Sequence, residues 1–185
     1  MTVLDSLASE LGVSGRSLRR AAERGMIRAR RSRPRRTELS FAERHYVETH
    51  WGLLSSLVSW LRTRPKVRLA VVYGSVARGD DRPDSDVDLL VSLAREDAHT
   101  TASLAASLGE ELGRRVQVVS LAAAAHAPLL LLDAVRDGRV LVDRDGEWPA
   151  LTRRERQLER KAAAAEAELD QRIAELAELV TGDTG

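Results

Sequence analysis

The stretch Val71 to Leu93, reading VVYGSVARGDDRPDSDVDLLVSL, constrains this chain more than any other. The apolar run Leu69 to Tyr73 predicts a buried strand that breaks at Gly74-Ser75, where a missing side chain and a short hydroxyl let a phosphate approach the backbone. The residues that follow predict a short helix whose first amides face the same phosphate and which ends at Gly79. After a polar turn at Pro83, Asp86-Val87-Asp88 opens a second strand. A period of two throws both aspartates onto one face and Val87 onto the other. Two carboxylates sharing a face suit a hard cation such as Mg²⁺ or Mn²⁺.

From Val67 onward strands and helices alternate. A helix from about Ala98 to Arg114 turns Ala102, Ala105, Leu108 and Leu112 inward, a third strand spans Val116 to Ser120, and a short helix covers Leu129 to Val135. Arg139 to Asp143 reads as a further edge strand. The pattern predicts an α/β core, a small mixed sheet covered by helices in the α+β manner. Trp148 to Val180 predicts one long charged helix with a stripe of Leu158, Ala162, Ala165, Leu169, Ile173, Leu176 and Val180. Such a stripe either folds back on the core or pairs with another copy of the chain, which makes a homo-oligomer one expectation.

The N-terminal region is chemically different. Between Met1 and Arg36 there are ten arginines against Asp5, Glu10 and Glu23, although the whole chain carries a net charge of only +1. That asymmetry points to a module that meets polyanions. Val3, Leu4, Leu7, Ala8 and Leu11 have the spacing of one buried helical face, Gly12-Val13-Ser14 interrupts it, and Ser14 caps a second helix closed by Gly25. Leu18 and Ala21 turn inward while Arg16, Arg19 and Arg20 face out, an all-α helix-turn-helix pattern with three candidate DNA-binding side chains. Arg33-Pro34-Arg35 is either the tip of a basic hairpin or part of a cationic linker. Ser40 with Glu43 forms a capping-box signature, and Tyr46, Trp51, Leu54, Leu57, Val58 and Leu61 carry one long helix to Arg64-Pro65. His45 and His50 are five apart, off the spacing that brings two imidazoles to one ion, so both are expected to be solvated or interfacial.

With 43% hydrophobic residues in 185, the chain can bury one main core with appendages. Its apolar runs are shorter than a membrane span and its start lacks the profile of a signal peptide, so a cytoplasmic location is expected. The absence of cysteine excludes disulfides and thiolate metal sites.

Two resemblances sharpen these readings. LASELGVSGRSLRRAAERGMIRARR resembles the N-terminal DNA-binding region of MerR-like and excisionase-like winged helix-turn-helix modules. GSVARG followed by SDVDLLV, with LLLLDAVRDGRVLVD downstream, resembles the minimal branch of the polymerase-beta-like nucleotidyltransferase superfamily, often associated with toxin-antitoxin systems. The second likeness spans about Val67 to Leu151. It implies an NTP held at Gly74 and Ser75, Asp86 and Asp88 as catalytic metal ligands, and Arg78 either assisting the phosphates or bracing the turn through Asp80, Asp81 or Asp84. The family's third carboxylate, on the next strand, is replaced here by Gln117, which implies slow or absent transfer with nucleotide binding retained. The expected layout is a helix-turn-helix with a basic wing or linker at 1–39, a connecting helix at 40–64, a nucleotidyltransferase-like domain at 65–147 and a C-terminal helix and tail at 148–185. The expected activity moves an NMP from an NTP to a protein or RNA hydroxyl. The alternative is a DNA-binding regulator or antitoxin whose nucleotide-binding domain is catalytically weakened.

Overall fold

Local capping chemistry sets the N-terminal third of the computed structural model, which describes residues 3–33, 36–95 and 98–182. Helix α1 (Val3–Glu10) buries Leu4, Leu7 and Ala8. Helix α2 (Gly15–Arg24) starts where the Ser14 hydroxyl accepts the Ser17 amide, and it ends at Gly25, whose φ of 90° suits glycine. Strands β1 (Arg30–Arg33) and β2 (Arg36–Glu38) pair antiparallel. The expected hairpin tip, Pro34-Arg35, lies outside the described residues.

Helix α3 (Phe41–Arg62) begins at Ser40, which accepts the Glu43 amide at 3.0 Å. The other half of the expected capping box is absent. The Glu43 carboxylate instead meets the Arg139 guanidinium and the Arg28 amide, because a buried cation is a stronger partner than a helix-end N–H.

The remaining elements are β3 (Val67–Tyr73), α4 (Gly74–Arg78), β4 (Val87–Leu93), α5 (Ala98–Leu112), β5 (Val116–Ser120), α6 (Leu121–Ala124), α7 (Pro128–Asp137), β6 (Arg139–Asp143), α8 (Glu147–Thr152) and α9 (Glu155–Gly182). They form a mixed sheet in the order β5-β4-β3-β6, with β3 antiparallel to both neighbours and β5 parallel to β4. The single C-terminal helix expected from Trp148 onward is two helices. The Asp143 carboxylate caps the first by accepting the Glu147 and Trp148 amides, so that helix starts on its own signal, and a turn at Arg153-Arg154 separates it from α9.

Strand alternation divides the core between the two faces of the sheet. Ala70, Val72, Val87, Leu89 and Val91 pack with Leu7, Leu18, Leu54 and Leu108 from α1, α2, α3 and α5. Leu69, Val71, Tyr73, Leu90 and Val140 pack with α7 and with Leu158 and Ala162 of α9. The N-terminal helices therefore share one continuous apolar cluster with the sheet. Leu54 and Leu57 are wholly buried, each burial being worth roughly 2 kcal/mol. Farther along α9, Leu169, Ile173 and Leu176 are exposed, so only the start of the expected stripe rests on the core. The side chain of Val180 lies outside the described residues. Among the described residues no helix is long and apolar enough to cross a membrane.

Candidate active site

The site forms where β3 stops and β4 starts. Gly74 follows Tyr73 with a φ of 70°, and a Cβ placed there would lie 2.6 Å from Asp88 Oδ2. Glycine is thus required twice, by the backbone and by the carboxylate that closes on it. Opposite, Asp88 pairs with Tyr73 on one side and with Gln117 on the other. Val87 is fully buried beneath, which holds Asp86 and Asp88 on the face it leaves.

The electrostatics of the pair are unbalanced. Burial, with the neighbouring Asp86 carboxylate adding to it, pushes the Asp88 carboxyl above its ordinary value, and Arg78 offsets this only in part. Burial and the Asp88 charge likewise push the Tyr73 hydroxyl up to about 12. Asp86 accepts a 2.9 Å hydrogen bond from Gln117 Nε2 and has Arg115 at 3.6 Å. Arg115 and Gln117, the two side chains at Asp86, also line an open groove with Ala105, Gly109 and Arg114.

Arg78 faces Asp80 at 3.2 Å and Asp137 at 3.8 Å, so it braces the turn against α7. Ser75 receives the Gly79 and Asp80 amides on its carbonyl. Among the described residues, no group of three or more His, Cys, Asp or Glu side chains is arranged to hold a metal. No third carboxylate of the described residues, Glu110 and Glu111 of α5 and Asp133 of α7 included, joins Asp86 and Asp88 in such a group. The three arginines read as DNA-binding lie elsewhere, on α2. Arg16 is exposed, Arg19 donates to Asp5 at 2.6 Å, and Arg20 lines a recess between α2 and α3.

Several side chains that fix this turn carry no local sequence signal. The Tyr46 hydroxyl donates to the Val76 carbonyl at 3.0 Å, and Arg139 Nε donates to the Ala77 carbonyl at 2.6 Å, so both hold the far end of α4. Gly79 closes that helix at φ 85°, and a Cβ there would meet the Tyr46 ring at 2.8 Å. His50 is buried, stacked on Tyr46 and bonded to the Tyr46 carbonyl and to Asp81. That makes it interfacial rather than solvated. Arg114 spans the loop before Asp86, donating to Asp81, to the Arg82 carbonyl and to the Ser85 carbonyl. Apart from the His50–Tyr46 contacts within α3, these join residues from 29 to 62 positions apart, which is why periodicity does not reveal them.

A mixed sheet whose first strand turns through Gly74-Ser75 toward two alternating aspartates defines a nucleotide-transfer type of core. Residues 55–147 match the family described as polymerase beta, nucleotidyltransferase, and the chain belongs to that family. No curated protein matches it in sequence. Among solved structures, it is similar to a chain of a toxin-antitoxin complex with AMP-PNP, at 22% identity and a TM-score of 0.55 over 65% of this chain and 98% of that one. It is also similar to a chain from the complex of a tri-AMPylated Shewanella oneidensis HEPN toxin with its MNT antitoxin, at 20% identity and a TM-score of 0.53 over 68% and 98%. At these identities the likeness is one of fold.

Proposed function

We propose that this chain is a metal-dependent nucleotidyltransferase of the minimal type that moves an NMP from an NTP to a protein hydroxyl, within a toxin-antitoxin pair. The observation that carries this reading is the Asp86–Asp88 pair facing Gly74, with Asp88 raised by burial and by its neighbour. A divalent cation, Mg²⁺ or Mn²⁺, relieves both penalties at once and is supplied with the hard oxygen ligands it prefers. A Cβ at Gly74 would lie 2.6 Å from Asp88 Oδ2, so glycine is what lets the turn and the carboxylate stand this close.

In the reaction, the acceptor oxygen attacks the α-phosphorus of the NTP. One P–O bond forms, the bond to pyrophosphate breaks, and the acceptor proton is lost. A divalent cation held by Asp86 and Asp88 would supply charge stabilisation for this displacement. Asp86 and Asp88 hold that charge in place, Gly74 and Ser75 admit the phosphates, and Arg78 keeps the turn fixed. A protein acceptor is favoured over RNA because the Shewanella oneidensis structure of the same fold holds an AMPylated toxin beside an MNT antitoxin.

Gln117 favours a second reading. It donates to Asp86 from the next strand, and if the family's third carboxylate belongs at this place the base is missing, since an amide cannot take a proton from the acceptor. In that reading the domain binds nucleotide with little turnover. The chain then acts as a regulator through its basic N-terminal module, with Arg16, Arg19 and Arg20 toward DNA. Incubating the protein with α-labelled NTP, Mg²⁺ and a lysate of its source cells separates the two. Label transferred to a protein, and lost in Asp86→Ala, supports transfer, whereas labelled NTP retained without any labelled product supports the regulator.

A further inference from the structure

The recess between α2 and α3 has a composition that neither transfer nor core packing explains. It encloses about 190 Å³, with Ala21, Met26 and Val58 at its apolar floor. Arg20 and Arg24 of α2 and Arg62 of α3 converge on it, together with the hydroxyls of Ser55 and Ser59 and the indole of Trp51. Among the described residues no carboxylate lines it. Among the described residues none of these three arginines makes an ion pair, whereas Arg19, one position before Arg20, is matched by Asp5. An adjoining hollow shares Arg24 and Arg62 and includes Asp143, but that carboxylate is already engaged by the two amides at the start of α8.

Like charges gathered in a concave, partly dry place repel one another. Burial pulls the Arg24 guanidinium below its ordinary value, with Arg62 and then Arg20 adding to the effect. Arg24 spends one donor on the Leu141 carbonyl of β6 at 2.8 Å, which orients it and leaves its other N–H groups available. A chain that needed these arginines only for solubility would spread them over water. Guanidinium forks recognise phosphate oxygens, and of the two serines only Ser59 offers its hydroxyl proton, that of Ser55 being donated to the Gly52 carbonyl at 3.0 Å.

We infer that this recess is a phosphate-binding site, separate from the Asp86–Asp88 centre, which takes the phosphate groups either of a free nucleotide or of a nucleic-acid backbone. Both sources present the same tetrahedral oxygens. Its floor lies in the same apolar cluster as the sheet, and Arg24 reaches β6 directly. An anion there therefore ties α2 and α3 together on the side of the sheet away from the carboxylates.

The test is calorimetric titration of the full chain with inorganic pyrophosphate in EDTA, conditions in which a cation-dependent carboxylate site contributes nothing. One site per chain is expected. Arg62→Gln should weaken it at least about tenfold, because a charged donor pair is lost. Arg62 is exposed and its side chain bonds no described residue, so that variant leaves the fold intact by circular dichroism. Ser59→Asp, which adds a carboxylate at the rim, should abolish binding as well. No binding, or binding indifferent to both substitutions, overturns the site, as does binding that vanishes in Asp88→Asn. A mixed-sequence DNA duplex identifies the source. Duplex binding displaced by pyrophosphate and weakened in Arg62→Gln assigns the recess to backbone phosphate. Duplex binding unaffected by either, with the pyrophosphate site intact, assigns it to a free phosphorylated ligand.

Discussion

Two groups of charge lie at opposite ends of α4, and they are built on opposite rules. At the C-terminal end, Arg139 is 2% exposed and Glu43 6%, yet every polar atom that matters has a partner. Glu43 meets Arg139 in a two-point contact at 2.6 and 3.0 Å, Arg139 also donates to the Ala77 and Met26 carbonyls, and its guanidinium lies 3.4 Å over the Tyr46 ring. At the N-terminal end, Asp86 and Asp88 share a sign, and among the described residues only Gln117 and Arg115 approach them at hydrogen-bond or ion-pair range. The closed group is a brace, since nothing further can enter it. The open group is stable only because it is partly solvated, and it improves when a cation arrives.

The largest expected effect comes from opening the closed group. Glu43→Gln leaves the Arg139 cation buried without a counter-charge and should destabilise the protein by about 3–5 kcal/mol, read as the shift of a urea unfolding curve. A shift below about 1 kcal/mol would mean that the carbonyls alone satisfy Arg139 and that the contrast between the two ends is misdrawn. The same type of change at the open end should do the reverse. Asp88→Asn removes a charge that burial and Asp86 already disfavour, so stability should hold or rise slightly while transfer of labelled NMP falls by about 100-fold or more. If Asp88→Asn unfolds the protein instead, the aspartate is structural. Gln117→Glu comes next in size. A carboxylate beside Asp86 should raise transfer about tenfold in Mg²⁺, and no gain would place the base on another residue.

The two ends also differ in how far they could be read in advance. The sheet, the short helix after Tyr73 and the alternation at Asp86 and Asp88 follow from local rules, because strand period and glycine placement act over a few residues. That Gln117 would stand near the aspartates was implied by the family resemblance alone, since a strand at Val116 to Ser120 does not by itself say which strand it pairs with. The brace was invisible. Arg139 opens a strand that reads as an ordinary edge, and its partner is 96 positions away. Glu43 even carried a misleading local signal, since a glutamate three residues after Ser40 reads as half of a capping box. Long-range polar pairs have no period, and a single sequence offers nothing else from which to find them. The break between α8 and α9 was hidden for a related reason. It falls at the exposed pair Arg153-Arg154, where the turn is closed by backbone bonds from the Arg154 amide to the Leu151 carbonyl and from the Gln157 amide to the Arg154 carbonyl, which apolar periodicity does not register.

The smallest effect concerns a third charged group that lies between these extremes. Burial alone would raise the Asp81 carboxyl, but hydrogen bonds from His50 and Arg114 outweigh it and hold the group below its ordinary value. A carboxyl depressed by folding adds stability above its unfolded value and loses that contribution as the pH falls through its folded value. Asp81→Asn should therefore cost about 1 kcal/mol near neutrality, where wild type holds the charged form. Below the ordinary carboxylate range the gap between wild type and variant should shrink, as wild-type Asp81 takes up its proton and both proteins present a neutral side chain to His50 and Arg114. Urea midpoints for the two proteins across an acid series measure that gap directly. A gap that stays constant down to the lowest pH would show that Asp81 acts through shape rather than charge. A gap that widens would mean that His50 and Arg114 do not hold it ionised, and that the loop leading to Asp86 is fixed by the Arg82 and Ser85 carbonyls alone.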